Sequence, residues 1–345
     1  MYDRNFIPPL IAGALMAALV ITPSFAAEPP PTCGPLKLFN EVQLQSMDDG
    51  LRPMIPVRVD GHDELFVFDT GNGVTAISQL AAKDLGITIG NDGAFYSADV
   101  FGNIKSLYAK VSQFEFGKRK HGAVRMPIWP QSGTQMRGSF GLDFMLHYDA
   151  DIDFGTGKFR AFERDHCPGQ VVYWQAQAMG VVPINIANGH LTVPVELDGH
   201  KLDAVIDTGA EYSVMPRQIA QDIFGLTEGE PGTEFVSELS QGDRTVRKRS
   251  FVHTFTSLNF GDIQAKNTKV LVKPDFISTD NPFLSHYEIY QRKIDGLKMP
   301  DLIIGMNVLR KLHIYMAFGE QRLYVSPAST PVPALPQPVQ SSPAP

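Results

Sequence analysis

Pro56-Val57-Arg58-Val59-Asp60-Gly61-His62, running on to Asp69-Thr70-Gly71, is matched without a gap by Pro194-Val195-Glu196-Leu197-Asp198-Gly199-His200, running on to Asp207-Thr208-Gly209. The offset is 207 − 69 = 138 residues. Further along, Gly141-Leu142-Asp143 running to Phe154-Gly155 matches Gly305-Met306-Asn307 running to Phe318-Gly319, at an offset of 305 − 141 = 164. The body of the chain therefore reads as an internal duplication whose second copy has gained 164 − 138 = 26 residues. Phe116-Gly117 corresponds to Phe260-Gly261, which puts most of the gain after Gly261; Lys273 to Pro300, aromatics mixed with turn residues and no clean period, is the expected excursion.

Within each copy the apolar runs are short and strand-like: PVRV, LFVF and AKVSQFEF in the first, VPVEL, AVI, VHTFTSLNF and IYMAF in the second. The Asp-Gly pairs at Asp60 and Asp198 suit the left-handed positions of a tight hairpin turn. His62 and His200 then sit beside turn tips, a plainer reading than metal ligands. Lys118 to Lys120 likewise reads as a hairpin turn. Helical text is limited to Ser78 to Leu85, Pro216 to Phe224 and Asn307 to Leu312. The expectation is a mainly β protein in two lobes.

Working outward, residues 1–26 carry Arg4, an apolar stretch from Leu10 to Ile21 and small residues at Ser24 and Ala26, the pattern of a secretory signal peptide. The apolar run is shorter than the roughly 20 residues a membrane span needs. The mature chain is thus expected to be periplasmic or secreted. In that oxidising setting the only two cysteines, Cys33 and Cys167, are expected to form a disulfide. The segment 327–345, dominated by Pro, Ser and Ala, reads as a disordered tail. Between the ends lie an N-terminal segment (27–52), a first lobe (53–166), a connector (167–190) and a second lobe (191–326) with its insertion near 273–300.

A formal charge of −7 with 19% charged residues argues against a nucleic-acid partner. Neither CxxC nor HExxH occurs and the nine histidines are scattered, so no metal site and no cofactor are expected. Arg244, Arg247, Lys248 and Arg249 fall on one expected strand, and a solvated strand face is the simpler reading for them.

The chemistry sits on the two Asp-Thr-Gly triplets. Each Asp ends an apolar strand, Phe66-Val67-Phe68 or Ala204-Val205-Ile206, and each copy later returns an apolar segment ending in Gly ahead of a polar residue, Phe140-Gly141 with Asp143 and Ile303-Ile304-Gly305 with Asn307. In this the sequence resembles the retropepsin and pepsin-like aspartic peptidases over roughly Pro53 to Ser326. The resemblance implies two acid-protease lobes related by a pseudo-two-fold axis, with Asp69 and Asp207 as the catalytic pair. It implies that Thr70 and Thr208 hydrogen-bond across the axis, and that Gly71 and Gly209 let the backbone pass close behind the carboxylates. Both triplets being in one chain, a monomer acting on a peptide or protein substrate is expected.

The position after the triplet, where the family usually has Ser, Thr or Ala, is Asn72 in the first copy and Ala210 in the second. Asn72 either donates to the outer oxygen of Asp69 or tilts the loop by its bulk. Gly102 and Gly242 are the candidate tips of hairpins closing over a substrate. Two adjacent carboxyls share one proton, so one serves as base and the other as acid toward a water attacking a peptide carbonyl. Lacking a hydroxyl at Ala210, the pair is expected to work best at about pH 4 to 6. The other function classes are a catalytically inactive peptide-binding module and an envelope scaffold protein on the same fold.

Overall fold

Alternation of buried and exposed side chains turns the duplicated runs into hairpins. In the strand Pro53–Val59, Ile55, Val57 and Val59 are buried while Arg58 is exposed, and its partner His62–Phe68 buries Phe66, Val67 and Phe68. The computed structural model in which they are seen describes residues 33–46, 51–91, 97–98, 104–105, 107–129, 136–187, 189–241, 244–273 and 300–328. Pairing of Val59 with His62 leaves Asp60 and Gly61 as a two-residue loop with φ of 48° and 86°. In the hairpin His190–Leu197/His200–Ile206 the loop is Asp198 and Gly199, with φ of 43° and 85°. These are the left-handed values an Asp-Gly turn predicts.

The two turn aspartates also tie down their neighbours. Asp60 Oδ1 accepts the backbone N–H groups of Ser112 and Gln113 at 2.7 and 2.8 Å, and Asp198 accepts those of Ser257 and Thr256 at 2.7 and 3.1 Å. His62 and His200 lie beside these turns, exposed to solvent.

Two sheets are assembled in the same order and sense. In the first, Gly138–Phe140 runs parallel to His62–Phe68, Ala76–Ser78 runs antiparallel to Gly138–Phe140, and Val124–Trp129 runs parallel to Ala76–Ser78. In the second, Leu302–Ile304 runs parallel to His200–Ile206, Ser213–Pro216 runs antiparallel to Leu302–Ile304, and Ile263–Lys273 runs parallel to Ser213–Pro216. A third sheet has six strands, Leu38–Gln43, Lys158–Phe162, Asp149–Asp153, Leu312–Ala317, Arg322–Pro327 and Gly180–Pro183, in that spatial order. Its central antiparallel pair, with Ala150 opposite Met316 and Asp153 opposite His313, brings one strand from each copy side by side. Buried Phe66, Phe68, Phe114, Phe116, Phe140 and Phe159 fill the core under the first sheet, and Phe251, Phe255, Leu258, Phe260 and Ile304 the core under the second. Each fully buried phenylalanine contributes on the order of 2–3 kcal/mol by removal from water.

The helices are short. Gln79–Asp84 starts from Ser78, whose hydroxyl accepts the N–H of Ala81 at 3.0 Å, and Arg217–Phe224 ends at Gly225 with φ 65°. The third expected helix is displaced: Met306–Leu309 is helical, and Leu312 already begins a strand, because its apolar run is needed in the six-stranded sheet. A fourth helix, Leu142–Met145, is the counterpart of Met306–Leu309, too short to leave a periodic signal. The run AKVSQFEF is two strands, Leu107–Val111 and Phe114–Phe116, interrupted at the residues bonded to Asp60. Lys118 sits in the turn between Phe116 and Arg119, and Arg244 to Arg249 lie on the strand Arg244–Phe260.

Both cysteines are disulfide-bonded. Leu38–Gln43, in the N-terminal segment ahead of the first copy, is a strand of the six-stranded sheet. Residues 1–26, 274–299 and 329–345, on which the signal peptide, most of the insertion and nearly all of the tail were placed, lie outside the described residues. Among the described residues no helix is long and apolar enough to cross a membrane.

Candidate active site

Each Asp-Thr-Gly loop leaves its strand through the same bonds. The N–H of Asp69 donates to Phe140 O and that of Asp207 to Ile304 O, both at 3.0 Å; the loops then close with Leu142 N–H on Asn72 O and Met306 N–H on Ala210 O, both at 2.8 Å. Underneath, Asp143 Oδ1 accepts the N–H and hydroxyl of Thr75 at 2.9 and 2.6 Å, and Gly141 N–H donates to that hydroxyl at 3.0 Å. In the second copy Asn307 Oδ1 accepts the N–H and hydroxyl of Ser213 at 2.7 and 2.9 Å, and Gly305 N–H donates to that hydroxyl at 3.1 Å. The polar residue after the glycine thus holds the base of each loop. A Cβ on Gly141 would fall 2.8 Å from Asn72 O, and one on Gly305 2.5 Å from the Tyr212 carbonyl, which explains the glycines.

The loops are locked to each other by the threonines, both fully buried. Thr70 N–H donates to Thr208 Oγ1 at 3.0 Å and Thr208 N–H to Thr70 Oγ1 at 3.1 Å. The hydroxyls donate onward, Thr70 to Ile206 O at 2.7 Å and Thr208 to Phe68 O at 2.5 Å. Four reciprocal bonds therefore fix where the two strands end relative to one another.

That lock sets the two carboxyls side by side. A Cβ on Gly71 would stand 2.3 Å from Asp207 Cγ, and one on Gly209 2.5 Å from Asp69 Cγ. Each glycine thus makes room for the aspartate of the other copy rather than for its own. Gly71 N–H donates to Asp69 Oδ1 at 3.1 Å, while Gly209 and Ala210 N–H donate to Asp207 Oδ1 at 2.9 and 3.0 Å. Asp69 and Asp207 are both partly buried. Burial pushes Asp69 up to about 7, with the charge of Asp207 adding to it and the Ser139 hydroxyl partly offsetting it. Burial also raises Asp207, opposed by the Gly209 and Ala210 N–H groups, a hydrogen bond from Asp69 and the charge of His190. More groups favour the ionised form of Asp207 than that of Asp69.

The surroundings are not duplicated. The Asn72 amide does not donate to Asp69 itself: it donates to Ser139 Oγ at 3.1 Å, its Oδ1 accepts Val74 N–H at 3.3 Å, and Ser139 in turn donates to Asp69 Oδ2 at 3.0 Å. Ser139 escaped the sequence reading, although a polar residue opposite Ile303 of the second copy was its signal. His190 was missed too. Its Nδ1 is 3.0 Å from Gly71 O, and nothing local marks it. Gly102 and Gly242 lie outside the described residues. Among the described residues no three His, Cys, Asp or Glu side chains are grouped to hold a metal ion.

Residues 193–308 match a family model described as aspartyl protease. Among solved structures, the crystal structure of basic 7S globulin from soybean matches with 10% identity over 85% of this chain and 95% of that one, at a TM-score of 0.45. No curated protein matches the sequence. The mainly β chain is thus similar to the aspartyl proteases over residues 193–308, the stretch that holds the second Asp-Thr-Gly triplet.

Proposed function

We propose that the protein is an aspartic-type endopeptidase, periplasmic or secreted, in which Asp69 and Asp207 activate a water molecule against a peptide bond. The single observation that carries this reading is the apposition of the two carboxyls, each against the other copy's glycine; two carboxyls so placed share one proton. Ionised Asp207 takes a proton from the water as its oxygen bonds to the peptide carbonyl carbon, and Asp69 gives its proton to the carbonyl oxygen. Collapse of the resulting diol breaks the C–N bond and returns a proton to the leaving nitrogen. An extended peptide of a protein substrate is the natural occupant, and a monomer suffices because one chain carries both loops.

The test is incubation of the purified protein with a diverse peptide mixture, with and without a hydroxyl-bearing mimic of the diol. Hydrolysis blocked by the mimic and lost in both Asp69→Asn and Asp207→Asn, each still folded, is the expected result. Either variant keeping most of the activity would overturn the assignment. Binding of peptides without cleavage by the wild type would make the chain a catalytically inactive peptide-binding module.

A further inference from the structure

We propose that His190 is a positioning residue of the paired carboxyls: it clamps the first Asp-Thr-Gly loop to the second copy and draws the pair's single negative charge onto Asp207. Its part in hydrolysis rests on the peptidase reading; its hold on the charge does not.

The clamp is a hydrogen bond of 3.0 Å between His190 Nδ1 and Gly71 O. A carbonyl only accepts, so Nδ1 is the donor of this bond. Gly71 is also the residue pressed against the Asp207 carboxyl, so the bond brings the imidazole to the Asp207 side of the pair. The backbone ahead of the ring is held in place as well: a Cβ on Gly73 would fall 2.7 Å from Gly189 O. The charge of His190 lowers the Asp207 pKa against the effect of burial.

The duplication shows why this charge is free to act. His190 occupies the place of Arg52 in the first copy, 190 − 138 = 52. Arg52 pairs with Glu211, and the first-copy counterpart of Glu211 is Gly73, 211 − 138 = 73. The second clamp therefore has an imidazole and no carboxylate opposite it in the loop. Of the charged groups, Asp207 is the one His190 is seen to act on, and in sequence neither residues 71–74 nor the paired strand Asn185–Ala187 carries a titratable side chain.

Two variants separate clamp from charge. His190→Asn places an amide nitrogen where Nδ1 was, keeping the bond and removing the charge; His190→Ala removes both. Carboxyl-carbon NMR titration of Asp207 in the full chain is expected to show its apparent pKa raised by about half a unit in both, roughly threefold in proton affinity, because the ring is exposed and screened. In peptide hydrolysis the acid limb of kcat/KM is expected to move up by the same amount in both variants, with kcat lowered further in His190→Ala than in His190→Asn. An Asp207 titration unchanged in His190→Asn overturns the proposal. A shifted titration in a protein that cleaves no peptide keeps the proposal and removes the peptidase reading.

Discussion

Replacing Thr70 by valine keeps the side-chain volume and deletes one hydroxyl, which makes it a clean probe of the lock between the loops. The hydroxyl is fully buried, accepts Thr208 N–H at 3.1 Å and donates to Ile206 O at 2.7 Å. Its loss strands one N–H and one carbonyl away from water, each costing about 1–3 kcal/mol, for about 2–6 kcal/mol in all. Thr70→Ser keeps both bonds and gives up one methyl group, at about 1 kcal/mol. For a chain of this size the valine variant should melt on the order of 10 °C below the wild type and the serine variant only a few degrees below. Urea unfolding followed by circular dichroism measures both. Thr208→Val should behave like Thr70→Val, and the double variant should lose less than the sum, since the first substitution already loosens the shared loops. If Thr70→Val proves no less stable than Thr70→Ser, the reciprocal bonds do not hold the loops and the reasoning is wrong.

Ser139→Ala removes a donor that favours ionised Asp69, so the pKa of Asp69 rises and the basic limb of kcat/KM moves to higher pH, by up to about one unit; an unmoved limb would exclude the Asn72–Ser139–Asp69 chain. Ala210→Ser offers Asp207 a hydroxyl where it now has backbone N–H groups, which stabilises its ionised form and should move the acid limb to lower pH. Gly71→Ala places a methyl group 2.3–2.5 Å from the Asp207 carboxyl, so activity should fall at least a hundredfold, and a variant of near-normal activity would mean the carboxyls are not so placed. Mass spectrometry of non-reduced protein should find no free thiol, and Cys167→Ser should cost up to about 5 kcal/mol of stability by freeing a long loop; two free thiols would refute this.

Sequence alone determined those features that repeat or that follow from the conformation of a single residue. The Asp-Gly turns were legible because few residue pairs adopt two successive positive φ values, and the paired triplets because duplication wrote the same motif 138 residues apart. The short strands followed from alternation, and the cysteine pairing from there being only two. What tertiary structure decided are contacts between residues distant in the chain. Asp60 looked like a turn residue and is also the acceptor for residues 112 and 113. Gly71 and Gly209 were expected to let the backbone pass close behind the carboxylates, and only the fold shows that each yields space to the aspartate of the other copy. Asn72 was read as a direct neighbour of Asp69 and acts through Ser139, and His190 carried no local signal, because its partner is the carbonyl of Gly71, 119 residues away. A backbone carbonyl has no side chain to mark it, so a bond to it leaves no trace in the residue types, and only the folded chain shows which histidine stands beside the pair.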